Sequence, residues 1–345
     1  MGVKVVKYLF EIQEKIVPEL ITLAEIRYTI LRTIYYNQPI GRRNLAEKLD
    51  LSERKVRNEL EFLQSKKLVK ITKAGSRITE NGTNFLKELD DYIKEIKDIR
   101  NLESQMKIFL GLQEVYVVPG ELEYASLKEE IGRYTAVKLK NILKNGDILA
   151  VTGGETLAQV ANSMRIEEKF NFDITVVPGR GGLGEKVEIQ SNTIVAKIAK
   201  KLGGKYRLLH IPDNIRKENI SMIKAEPSIQ ETLQLLSEAN ILLHGVGEAE
   251  KMASRRGMTS SQIQNLLDQG AIGEAFGYYF NRYGEIVHST TSVGLSLEDL
   301  KDIDQVIAVA GGENKVEAII SAVSPEFQDM LITDEVTARK ILDSR

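Results

Sequence analysis

Two stretches of this chain carry residues whose types and spacing suit an anion. In Asp147-Ile-Leu-Ala-Val-Thr152-Gly153-Gly154-Glu155-Thr156-Leu157, an apolar run (148–151) breaks at two glycines, and an amphipathic segment (157–164) follows. Strand, glycine turn and helix start is the layout in which backbone N–H groups and the helix dipole face negative charge. Thr152 and Thr156 add hydroxyl donors, and Thr156 can also cap the helix. Gly311-Gly312-Glu313-Asn314-Lys315 follows another apolar run (306–310) and adds a lysine. Arg180 stands within a third glycine-rich loop, and Arg255-Arg256 is a further basic pair. Taken singly, each has a plain reading as a strand-end turn, a solvated loop charge or a first-turn lysine. Together they point to a phosphorylated small molecule with two anionic ends.

A dinucleotide is the main competitor, because Gly179-Arg-Gly181-Gly-Leu-Gly184 fits G-x-G-x-x-G. That fingerprint needs a helix opening inside the glycines and an acidic residue ending the next strand. Here Pro178 precedes the motif, polar residues 185–190 follow it, and the next strand ends in His210-Ile-Pro. An anion held around Arg180 fits better than nicotinamide.

The elements that position these loops are short apolar runs at 115–118, 148–151, 174–177, 206–210, 241–244, 306–310 and 331–333. Helical patterns, the first at 127–143, lie between almost all of them. This alternation predicts a doubly wound, mainly parallel α/β sheet over 113–345, with ligands held at the carboxyl ends of the strands.

Composition sets the wider frame. The 345 residues suit two domains, and no apolar run approaches a membrane span. No signal peptide opens the chain, so a cytoplasmic location is expected. With no cysteine and three scattered histidines (His210, His244, His288), thiolate metal sites and disulfides are excluded and no metal is expected. The net charge of -2 hides an asymmetry. Residues 20–79 hold 13 Lys and Arg against 6 Asp and Glu, so a basic module sits on an acidic body.

That basic module, within 1–80, reads as a winged helix-turn-helix. A helix over 18–37 precedes a short helix from Arg42, a tight turn at 50–52, and a second helix capped by Ser52. A hairpin with a basic, glycine-bearing tip follows at 68–79. Double-stranded DNA is the expected partner. Ser52, Arg54, Lys55, Arg57 and Asn58 are candidates for the major groove, and Arg42, Arg43, Lys73 and Arg77 for phosphates. Between the domains, 81–112 reads as a helical linker. Phe85, Leu89, Tyr92, Ile96, Ile99, Glu103, Met106 and Leu110 form a seam broken by the one glutamate, which suggests pairing into a homo-oligomer, dimer or tetramer.

Val177-Pro-Gly-Arg-Gly-Gly-Leu-Gly184, His244-Gly-Val-Gly-Glu-Ala249, Glu274-Ala-Phe-Gly-Tyr-Tyr-Phe280 and Ala308-Val-Ala-Gly-Gly312 resemble the SorC family of sugar-responsive bacterial transcriptional regulators. The resemblance spans nearly the whole chain, and its N-terminal part is the generic one. It implies a repressor of a glycolytic operon, induced by fructose-1,6-bisphosphate and needing no cofactor. Its effector domain would be similar to sugar-phosphate isomerases and deaminases while serving as a sensor. By the same resemblance, Thr152, Gly153 and Gly154 hold one phosphate with Thr156 near it. Arg180, Gly181, Gly182 and Gln190 line the cavity, and Arg255, Glu274 and Lys315 close its far side. The departure is Glu155, where a small hydroxyl residue is expected; a carboxylate there must turn outward or pair with a base. The alternative is an isomerase or deaminase fused to a DNA-binding module, with Asp213, Glu248, Glu274 and Glu313 as candidate acids and bases.

Overall fold

The computed structural model describes residues 15–120, 124–164, 173–182, 186–211 and 217–344. The chain forms two compact units, Met1–Asn101 and Leu102–Arg345. In the first, α1 (Pro18–Asn37) opens on a proline, whose missing N–H has no partner to lose at a helix start. It buries Tyr28, Ile30, Leu31 and Ile34. α2 (Arg42–Lys48) and α3 (Glu53–Ser65) pack around the turn at Asp50, whose φ is 48°. Ser52 Oγ accepts the Lys55 N–H at 3.3 Å and caps α3, which turns Val56, Leu60 and Leu63 inward. The wing is β1 (Val69–Thr72) antiparallel to β2 (Gly75–Ile78), with Ile40 bridged to Ser76. Gly75 makes that bridge possible: its φ is +125°, and a Cβ there would stand 2.7 Å from the Ile40 carbonyl carbon.

The seam expected over 85–110 does not form one helix. α4 (Glu80–Ile96) stops at Lys97, and Asp98 takes φ 53° before α5 (Ile99–Leu110) begins. α4 buries Leu86 and Ile93, while Phe85 and Tyr92 remain exposed. The reason is packing within the chain. Tyr28 Oη donates to Asp90 at 2.5 Å and Lys97 pairs with Glu25 at 3.1 Å, so α4 turns one face to α1. Glu103, the exception in the seam, accepts the Val117 N–H at 2.9 Å.

In the second unit a seven-stranded sheet runs β3-β13-β12-β7-β4-β5-β6, every pair parallel. Its strands are β3 (Glu114–Val118), β4 (Ile148–Val151), β5 (Thr175–Pro178), β6 (Lys205–Tyr206), β7 (Ile241–Gly245), β12 (Gln305–Val309) and β13 (Met330–Asp334). Strands covered on both faces read as continuous apolar runs, and six of the seven expected runs coincide with these to within two residues. The exception is 206–210: the edge strand β6 pairs only through Lys205 and Tyr206. The helices α6 (Tyr124–Ile142), α7 (Glu155–Ser163) and α8 (Ser191–Leu202) contribute to the main core through Ile131, Leu139, Leu157, Val160, Ile194 and Ile198. β4 and β7 are neighbours, but the chain leaves β4 toward β5 and leaves β7 toward β12. That divergence opens a crevice at their carboxyl ends.

A second sheet was not expected. β8 (Gly247–Glu248), β9 (Gly273–Ala275), β10 (Tyr278–Phe280) and β11 (Ile286–Ser289) form an antiparallel set in the order β11-β10-β9-β8. Strands of two to four residues are too short to show an alternating pattern. Among the described residues no helix is long and apolar enough to cross a membrane.

Candidate functional site

The crevice between β4 and β7 holds a cavity. The loop after β4 supplies Thr152, Gly153, Gly154, Glu155 and Thr156; that after β5 supplies Arg180 and Gly181; Gln190 lies just before α8. The β7 side supplies Gly245 to Glu248, then Lys251 and Arg255 from α9 (Ala249–Arg255) and Arg256 just beyond it. Glu274 and Phe276 come from the second sheet, and Lys315 from beyond β12. The structure thus brings together eleven of the twelve residues expected for the effector. Gly182 is the twelfth; it does not line the cavity, and its N–H donates to the Ile211 carbonyl at 3.0 Å. The loop around Arg180 continues at 183–185, outside the described residues.

At the α7 end, Gly154 has φ +129° and caps the helix, and Glu155, Thr156 and Leu157 of its first turn, where N–H groups have no partner within the helix, line the cavity. The Gly154 N–H itself donates to the Ile189 carbonyl at 2.8 Å. Glu155 pairs with Lys128 of α6 and with Arg255. The Lys128 hydrogen bond, with the Arg255 charge, holds the Glu155 carboxyl down at about 2. The second glycine loop contributes a side chain and not its backbone. The Gly312 N–H donates to Asp334 Oδ2 at 2.8 Å and to Thr337 Oγ1 at 2.9 Å, so only Lys315 of that loop faces the cavity. Burial pushes the Lys315 ammonium down to about 8, helped by the positive charges of Lys128 and Lys251 and opposed by Glu155 and Glu248.

At the other end, Arg180 is 7% exposed and its Nη2 donates to Thr290 Oγ1 at 3.0 Å. Its guanidinium lies over Gly277, where a Cβ would come within 1.9 Å of Nη1. Glu274, 4% exposed, accepts from Arg256 Nη2 at 2.8 Å and from the Gly277 N–H. Phe276 and Gly277 both have positive φ, 56° and 82°, and form the tight turn between β9 and β10. Phe276 packs on the fully buried His244, ring centroids 4.2 Å apart. Burial pushes the His244 ring down to about 4, and its Nδ1 faces the Gly245 carbonyl at 3.1 Å.

The lining counts six cations (Lys128, Arg180, Lys251, Arg255, Arg256, Lys315) against three carboxylates (Glu155, Glu248, Glu274). That excess suits an anion. Lys128, Lys251 and Phe276 were missed from the sequence: a lysine inside a helical pattern carries no local sign of where it points.

In the N-terminal unit, Arg42, Arg43, Ser52, Arg54, Lys55, Arg57, Asn58, Lys73 and Arg77 are all exposed. Arg42, Arg57 and Lys73 line one concavity between α3 and the wing. Arg42 is also within 3.4 Å of Glu53.

Comparison with known proteins agrees with both halves. A family model described as "Putative sugar-binding domain" matches residues 94–343, and one described as the CggR N-terminal DNA binding domain matches residues 23–93. The chain is 43% identical over 336 residues to the central glycolytic genes regulator of Priestia megaterium, covering 97% of this chain and 98% of that protein. It is 40% identical over 335 residues to the regulator of the same name from Bacillus subtilis, again 97% and 98%. The full-length sorbitol operon regulator SorC of Klebsiella pneumoniae matches with a TM-score of 0.66 over 94% of this chain and 99% of that one; at 18% identity this speaks for the fold alone.

These relatives are named regulators, not enzymes, and three of the four candidate acids and bases are already paired. Glu274 is tied to Arg256, Glu313 pairs with Lys340 and Glu248 accepts from Asn314, while Asp213 lies outside the described residues. A DNA-binding unit joined to a sugar-binding unit, relatives alike over almost their whole length, and 38% identity to a solved SorC-family transcriptional regulator from Enterococcus faecalis (70% of this chain, 99% of that one, TM-score 0.65) place this chain in the SorC family of sugar-responsive transcriptional regulators, alongside the central glycolytic genes regulators it resembles.

Proposed function

We propose that this protein is a repressor of a glycolytic operon that leaves its operator when a phosphorylated sugar, fructose-1,6-bisphosphate, fills the cavity. The observation that carries this reading is the cation excess around the first turn of α7, at the switch point of a parallel sheet. The working form is a homo-oligomer, dimer or tetramer, so that paired recognition helices meet paired half-sites. The effector acts by binding one quaternary arrangement more tightly than the other, and coupling needs nothing further.

The test is a titration of the full chain against DNA from upstream of the glycolytic operon, followed by anisotropy, with and without fructose-1,6-bisphosphate. Binding should be lost on adding the sugar, and Arg54→Ala should weaken operator binding while leaving the sugar's own affinity intact. DNA affinity unmoved at saturating fructose-1,6-bisphosphate would sink the proposal.

The depressed Lys315 adds a pH signature. A bound phosphate favours the ammonium form, so binding must take up a proton above pH 8. The phosphate is already doubly ionised there and does not titrate. Effector affinity should therefore fall as pH rises, by roughly tenfold between pH 7 and 9. Calorimetry in buffers of different ionisation enthalpy reads the proton directly. Lys315→Met should lie flat across that window; an equal slope in the variant would assign the proton to another group.

A further inference from the structure

Glu155 is the first residue of α7, and its carboxylate takes Lys128 from α6 on one side and Arg255 from α9 on the other. Lys251 and Lys315 stand in the same charge field. The carboxylate therefore sits where a helix N-terminus and cations from three further segments converge. That is the place a ligand's phosphate would take.

We propose that Glu155 is a resident competitor for the effector's phosphate and sets the concentration at which the sensor responds. The proposal rests on the sugar-phosphate reading given above. Carboxylate and phosphate are both acceptor-only anions that want the same donors, and at contact distance they repel. With its carboxyl held near 2, Glu155 stays ionised throughout the physiological range, so it cannot step aside by taking a proton. It yields only by rotating away from Lys128 and Arg255, and the phosphate must replace both pairs.

The opposite role is a scaffold, in which Glu155 holds the two cations in position for the ligand. Two features weigh against it. Lys128 and Arg255 are only 17% and 21% exposed, held by the packing around them, and each makes more interactions than its ion pair with Glu155. Removing the carboxylate therefore leaves both donors in place for the ligand. The penalty scales with ligand charge, so it falls hardest on phosphate-bearing sugars and spares neutral ones.

Isothermal titration of the full chain with fructose-1,6-bisphosphate, fructose-6-phosphate and fructose tests this in wild type, Glu155→Gln and Glu155→Thr, at low and high salt. Both variants should bind the phosphorylated sugars about tenfold more tightly, equivalent to about 1.4 kcal/mol. Their affinity should also fall more steeply with salt, because without the carboxylate the site carries one more net positive charge for the ligand to neutralise. Unchanged or weaker phosphate binding in both folded variants, with wild type still binding, overturns the competitor role and makes Glu155 a scaffold. If neither wild type nor variants bind any phosphorylated sugar, the sugar-phosphate reading itself falls, and this inference with it.

Discussion

Replacing Glu274 with alanine should lower the stability of the C-terminal unit by about 3–5 kcal/mol. Glu274 and Arg256 have side chains 5% and 4% exposed and meet at 2.8 Å. The pair has already lost its hydration, so its net worth against an apolar pair of equal size is small. Removing one partner alone is different, because it takes the carboxylate away from a guanidinium that has already lost its hydration. It also leaves the Gly277 N–H without the carboxylate it donates to, at the turn beneath Arg180. Differential scanning calorimetry of the full chain should show the larger unit melting lower by on the order of 10 °C. Glu274→Gln keeps an acceptor for both donors and should lose less. The double variant Glu274→Leu with Arg256→Met should recover much of the loss. A single-variant loss below about 1 kcal/mol would mean that water reaches Arg256 and takes the place of the carboxylate.

The second large effect concerns acid. In the unfolded chain His244 protonates near its ordinary value of 6.5, whereas in the fold its ring stays neutral down to about 4. Between those values the unfolded state binds one more proton than the native state. Stability therefore falls as pH drops through this window, by about 3 kcal/mol for this one group, and is fully present above pH 6.5. The ring is well placed to remain neutral. Nδ1–H donates to the Gly245 carbonyl, Nε2 has no hydrogen-bond partner among the described residues, and the ring packs on Phe276. Chemical denaturation of wild type and His244→Gln at pH 7.5 and 4.5 isolates the term, since carboxylates elsewhere titrate in both. The variant should lose packing at pH 7.5 yet show a smaller drop in stability between the two pH values, by about 2.5 kcal/mol. Equal slopes would show that the ring already carries a proton in the fold.

Several parts of this molecule are legible in its sequence. Buried parallel strands lie between helices on both faces, so each is an uninterrupted apolar run and can be found without knowing its neighbours. Ser52 is a cap whose partner is three residues away, and the 42–78 module follows from signals of that range. The Thr152-Gly153-Gly154 loop and Lys315 were found for the same reason: a strand end, a glycine and a helix start are written consecutively.

What the sequence by itself determined was therefore the local elements, the basic and acidic halves, and the loops that meet at the site. Only the tertiary structure decided which elements become neighbours. It set β4 beside β7 and so placed the crevice, although 89 residues separate Val151 from Ile241. It divided the linker, because α4 found a partner in α1 that no heptad pattern reveals. It also joined Glu155 to Lys128 and Arg255, 27 residues before it and 100 after. The physical reason is one of range. Caps, turns and apolar periodicity act within a few residues, whereas charge pairs and sheet order depend on contacts between segments far apart in the chain, whose ordering the packed core must sustain.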